Sequence, residues 1–177
     1  MSIKKIRKYQ IFSIIFTFAL GSLLHFTYNI FGQNNAIAFF SSVNESTWEH
    51  LKLLFFPMLI TIIIGCFYFN KSVPNFLCSK TIGIIVAMAF TIIFFYTYTG
   101  VLGKNIAIID ISSFFIATIL GEVVAYLLII NKFKCNKFLS ILVLLSIFIC
   151  FVIFTFNTPK IGLFKDPVTG GYGINKN

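Results

Sequence analysis

Long apolar runs, broken by short polar interruptions, dominate this chain. Five of them could cross a bilayer: about Ile11 to Phe31, Trp48 to Phe69, Thr81 to Tyr98, Ile106 to Ile130 and Phe138 to Phe156. Roughly 20 helical residues, rising about 1.5 Å each, cover the ~30 Å hydrocarbon layer. The runs lack the alternation of a membrane barrel, and an isolated strand would leave its backbone groups unpaired in lipid. The pattern therefore predicts an all-α polytopic transmembrane helix bundle of about five spans. Short connections make neighbouring helices antiparallel. Gly21, Ser22, Gly65, Gly83 and Gly121 are small enough to let helices approach closely. Pro57, inside the second run, should kink that helix and free a carbonyl.

The pattern divides the chain into a transmembrane helical domain, residues 1–156, and an extracytoplasmic turn-rich tail, residues 157–177. The tail carries Thr158-Pro159, Asp166-Pro167 and Gly170-Gly171-Tyr172-Gly173 and cannot form a sixth span.

Composition strengthens the membrane reading. Apolar residues make up 58% of the 177 and charged residues 11%, against roughly 25% charged in soluble domains. The net charge of +9 does not indicate nucleic acid, because the basic residues cluster at the ends of apolar runs rather than on an aromatic-bearing face. With the N-terminus inside, nine Lys and Arg fall on inner segments and five on outer ones, among them Lys52 outside and Lys71 and Lys80 inside. That asymmetry places the N-terminus in the cytoplasm and the C-terminus outside, in a multi-pass protein of the cell membrane. The basic N-terminal stretch reads as the flank of an uncleaved first span. The bilayer is the partner this composition requires, and a protein partner or a second copy stays open. Cys66, Cys78, Cys135 and Cys150 have no metal or redox spacing and are expected as reduced, packed thiols.

Scarce polar groups carry the candidate chemistry. Of five acidic residues and two histidines, only Glu122 falls toward the inner side. The densest segment is Val43-Asn44-Glu45-Ser46-Thr47-Trp48-Glu49-His50-Leu51-Lys52. Ser46 and Glu49 have capping-box spacing, and Trp48 suits an interfacial anchor. If the helix begins early enough, Glu45 and Glu49 share a face at i, i+4, while His50 looks elsewhere. His25, Tyr28 and Asn29 form a stripe near the outer end of the first span, and Asp110 begins the fourth.

Such a set suggests a site at the outer boundary. His25, His50 and Asp110 are the candidate metal ligands, for a divalent transition metal such as zinc. Glu49 and His50 are the candidate catalytic residues, with Glu49 as general base. Asn44, Glu45, Tyr28 and Asp166 are candidate ligand-binding residues. No H-E-x-x-H spacing is present. Glu122, about 18 Å deeper than Asp110 at about 1.5 Å per residue, is the candidate for an ion path. Its alternative is a protonated or paired group in the bundle.

The stretches VNESTWEHLK and DPVTGGYGI, within HFTYNIFGQNNAIAFFSSVNESTWEHLKLLFFP and FTFNTPKIGLFKDPVTGGYGI, resemble a family of small bacterial polytopic membrane proteins of unknown function. The resemblance spans most of the chain and implies that both segments are hallmarks and that the membrane is the bacterial cytoplasmic one. A looser similarity to membrane hydrolases of the ceramidase type lacks their spaced histidine motif. Three functions stay open: an accessory, sensor or small-ligand-binding protein, a metal-dependent intramembrane hydrolase of lipid or envelope substrates, and a transporter or channel subunit.

Overall fold

The computed structural model describes residues 2–69 and 72–174. Lys71 and Lys176, which enter the charge count above, lie outside the described residues. The described chain forms six α-helices: α1 (Ile3–Ile30), α2 (Asn35–Ala38), α3 (Thr47–Phe69), α4 (Phe76–Leu102), α5 (Ala107–Ile130) and α6 (Lys137–Phe156). A 3-10 turn follows at Gly162–Phe164. All but α2 are long and apolar enough to cross a membrane. The chain is a multi-pass integral membrane protein, and large apolar side chains such as Ile15, Phe67, Ile93 and Leu145 cover its outside, as a lipid-facing surface requires.

α1, α3, α4 and α5 close a four-helix ring in which α1 packs on α3, α3 on α4, α4 on α5 and α5 on α1; α6 lies outside, against α4. Leu54, Phe55 and Met58 of α3 are buried with Ile84 of α4, Ala117 of α5 and Phe151 of α6. One end of the bundle, here the basic end, carries residue 2 and the α5–α6 connection. The other, the tail end, carries the 31–46 connection and the chain beyond α6.

The glycines work as the sequence suggests. A Cβ on Gly83 would come within 2.5 Å of the Gly121 carbonyl oxygen, and one on Gly121 within 2.6 Å of that of Gly83, so α4 and α5 touch backbone to backbone. Pro57 sits inside α3 and cannot donate to the Leu53 carbonyl four residues back. That oxygen lies 2.5 Å from where a Gly21 Cβ would stand. α1 thus crosses α3 at the carbonyl that proline leaves free, close enough for a Cα–H contact.

Three expectations are corrected. α4 begins at Phe76, five residues before the expected Thr81, so Lys80 is a helix residue inside the bundle and fully buried. Lys52 is equally buried. Neither is a loop charge, because each has a buried carboxylate partner. Half-buried Trp48, at the start of α3, packs against Phe151, Phe154 and Phe164. Cys78 and Cys135 are joined in a disulfide despite 57 residues of separation, because α4 starts beside the α5–α6 connection; Cys66 and Cys150 stay free.

Candidate metal centre

The 31–46 connection folds back onto the end of α1 through Ser41. Its buried hydroxyl donates to the Leu24 carbonyl and accepts from Thr27 Oγ1 at 2.9 Å and from the Tyr28 N–H at 3.0 Å. Asn44 then turns the chain. Its Oδ1 accepts the Ser46 N–H at 2.9 Å, and its Nδ2 donates to the Gly173 carbonyl of the tail at 2.9 Å. α3 starts only at Thr47, so Glu45 precedes the helix and does not share a face with Glu49. It points back to α1 instead.

There it lies between the two histidines. Glu45 Oε1 is 3.7 Å from His25 Nε2, and Oε2 is 3.3 Å from His50 Nε2. The imidazoles stack with centroids 5.3 Å apart. One ligand atom from each of the three residues lies within 4.8 Å of the other two. His50 Nδ1 is 3.1 Å from the Ser46 carbonyl oxygen. A carbonyl only accepts, so Nδ1 carries the hydrogen, and this bond fixes the ring with Nε2 toward Glu45. The hydrogen bond from His50 holds the Glu45 carboxyl below its usual range, against the opposing effect of burial.

The donor set fits a transition metal. Two imidazole nitrogens and one carboxylate oxygen are a familiar zinc set with one position left open. Donors about 2.0 Å from a tetrahedral ion stand about 3.3 Å from one another. The Glu45–His50 pair, at 3.3 Å, already meets that spacing, and the widest separation, up to 4.8 Å, must close by about 1.5 Å, which side-chain rotation can supply. All three side chains are partly accessible, at 28%, 32% and 45%, so an ion can reach them.

The three residues line a cavity of about 600 Å³ in the tail end of the helix ring. Its walls are mostly apolar, with Phe18, Phe26, Leu53, Phe95 and Phe114 prominent. Asp110, in the first turn of α5, lines it too. The Asp110 carboxylate accepts from the Tyr98 hydroxyl, which in turn accepts the Ile106 N–H at 3.3 Å. Asp110 is therefore set in the wall beside the cluster, while Glu45 stands with the histidines. Val168 of the tail lines the same cavity.

The other sequence candidates lie elsewhere. The Glu49 carboxylate turns away into the bundle, where it meets Lys52 Nζ at 2.5 Å and accepts the Val43 N–H at 3.0 Å. The Ser46–Glu49 capping box is therefore half formed: Ser46 Oγ accepts the Glu49 N–H at 3.4 Å, with nothing returned to Ser46. Asp166 is buried, and its carboxylate closes a turn onto Val168, Thr169 and the Thr169 hydroxyl. Tyr28 is buried against the Ser41 connection.

Glu122 lies far below, at the basic end of the ring. Lys80 Nζ bridges its two oxygens at 2.5 and 2.6 Å and is 3.3 Å from both Gln10 Oε1 and Ser13 Oγ. Lys52, Lys80 and Tyr98 escaped the sequence reading. The signal for Lys52 is its position three residues after Glu49 in an apolar run. For Lys80 no local signal exists, because its partner is 42 residues away.

No curated protein and no solved structure matches the chain. The model of the family described as "Family of unknown function (DUF6512)" matches residues 1–174, and the chain belongs to that family.

Proposed function

We propose that this membrane protein binds a divalent transition metal through His25, Glu45 and His50 and, through that metal, a small ligand in the adjoining cavity. The observation that carries this reading is the convergence of three donor atoms within 4.8 Å in the wall of a largely apolar cavity of about 600 Å³. The metal would supply a Lewis-acidic position for an anionic or carbonyl oxygen. The aromatic walls would take an apolar body, so the fitting ligand is amphiphilic. Such a site suits a sensor or accessory subunit, with the tail held over it by Asn44 and Gly173. In this reading the tail end faces outward and residue 2 lies in the cytoplasm, as the basic clusters suggest. Glu49 and Asp166 then shape the site from behind.

Elemental analysis of the purified protein tests the proposal. We expect about one zinc-like ion per chain, lost in His25→Ala and His50→Ala and retained in Glu49→Gln. Metal-free protein, with variants indistinguishable from the parent, would overturn it.

One observation favours a second reading, a metal-dependent hydrolase: the Asp110 carboxylate in the cavity wall, oriented by Tyr98. Asp110 would accept the proton of a metal-bound water. An Asp110→Asn variant that keeps its metal but loses cleavage of a medium-chain fluorogenic lipid ester would support it; a parent protein inert toward that ester would leave the ligand-binding reading.

A further inference from the structure

The basic end of the bundle contains a second cavity, of about 830 Å³, between the start of α1, the 72–75 turn and the α5–α6 connection. Its wall has two characters. Ile3, Ile6 and Ile129 supply an apolar side, and the exposed lysines Lys132, Lys134 and Lys137 line the other. No acidic residue occurs in residues 2–9, 72–79 or 131–137. Among the described residues, none of these three lysines forms an ion pair. The charge is therefore concentrated, with no ion-pair partner among the described residues.

The cavity is held open by specific contacts. Asn75 Nδ2 donates to the Leu128 carbonyl at 2.9 Å, fixing the 72–75 turn against the end of α5. The Cys78–Cys135 disulfide ties the α5–α6 connection to α4. Asn136 Oδ1 accepts the Phe138 and Leu139 N–H groups and caps α6, so the positive end of that 20-residue helix begins at Lys137. Lys132 itself has φ +51. Its N–H donates to the Ile129 carbonyl at 3.1 Å, and that of Phe133 to Leu128 at 3.0 Å, which closes α5. Glycine is the residue this left-handed position favours. A lysine there gives up local stability and puts a charge in the cavity wall.

We propose that this cavity binds the phosphate headgroup of an anionic phospholipid, with an acyl chain running along Ile3 and Ile6. Three lysines and a helix N-terminus neutralise the phosphate, and the isoleucines cover the first part of the chain. Basic recesses between membrane helices suit such headgroups by charge and by depth. A free phosphate ion offers the same chemistry to the lysines but leaves the apolar side uncovered.

Native mass spectrometry of the full-length protein released from micelles tests this, with phosphatidylglycerol and phosphatidylcholine added in equal amounts. We expect one phosphatidylglycerol retained with at least about tenfold preference, well within what three nearby lysines can supply. The Lys132→Gln/Lys134→Gln/Lys137→Gln variant should lose the preference. Lys4→Gln/Lys5→Gln, which removes charge from the same end but not from the cavity wall, should keep it. Lys132→Gly separates binding from folding: it should unfold at the parent's temperature or higher while retaining several-fold less phosphatidylglycerol. Should the triple variant fail to fold, this single variant decides. Equal retention of both lipids, or full retention by Lys132→Gly, would overturn the proposal. Displacement of the bound lipid by millimolar inorganic phosphate would overturn it in favour of a free-anion site.

Discussion

The Lys52 ammonium is bound by the Glu49 carboxylate, the Ala38 carbonyl and the Thr155 hydroxyl, at 2.5, 2.9 and 2.9 Å, and none of these residues reaches water. One side chain thus joins α2, α3 and α6 directly behind the candidate metal centre. Removing one member of a buried pair leaves the other charged and unpaired, at about 3–5 kcal/mol, whereas replacing both by apolar groups can be nearly neutral. We therefore expect Lys52→Met to lower the unfolding temperature in detergent sharply, and Lys52→Met/Glu49→Leu to recover most of the loss. Equal destabilisation of the two variants would show that the pair itself is not the source. The sequence made His25 and His50 conspicuous, since they are the only histidines. It hid the pairing of Glu45 with them, because that depends on α3 starting two residues after Glu45. Glu49 looked like the better acid, yet its register turns it about 100° from His50, into the Lys52 pair.

At the scale of elements, α4 and α5 owe their closeness to Gly83 and Gly121, and that closeness brings Lys80 within reach of Glu122 one turn away. A methyl group on Gly83 would meet the Gly121 carbonyl oxygen at 2.5 Å, a contact with backbone that no side-chain rotation relieves. Overpacking of this kind costs about 1–3 kcal/mol. Gly100, also in α4, has nothing within 4 Å of its ideal Cβ, and alanine there should gain up to about 1 kcal/mol of helix propensity. Detergent unfolding should therefore move in opposite directions for Gly83→Ala and Gly100→Ala, and a shared direction would contradict this packing. Apolar run length located all five long helices, four of their C-terminal ends to within one residue. It placed the beginnings of α1 and α4 late, because Lys4 to Lys8 and Lys80 read as boundaries. Helix continues through charges that face the interface, as in α1, or a buried partner, as for Lys80. Run length also gave no sign of α2, whose four residues are held by Ser41 and Lys52 rather than by any pattern of their own.

Across the whole molecule, polar chemistry divides between two ends. The tail end gathers both histidines and the carboxylates of Glu45 and Asp110 around one cavity, and the basic end gathers lysines around another. The cluster of acidic groups toward one end was legible from the sequence; their sorting into a histidine–Glu45 centre, a Lys52 pair and an Asp166 turn was not, since it depends on contacts across up to 129 residues, as between Asn44 and Gly173. The proposal that the basic end faces the cytoplasm rests on its lysine surplus, while the Cys78–Cys135 disulfide at the same end is of a kind uncommon in that compartment. Alkaline phosphatase fused after the last residue should be active in intact cells if the tail end faces outward; a fluorescent cytoplasmic reporter at that position would reverse the assignment. Either orientation is compatible with the proposed metal centre, and X-ray absorption at the edge of the metal carried by the purified protein tests that proposal most directly. The account predicts two imidazole nitrogens and at least one oxygen at about 2.0–2.1 Å, with one imidazole lost in His25→Ala. A sulfur shell, or a spectrum of oxygens alone that does not change in His25→Ala, would contradict it.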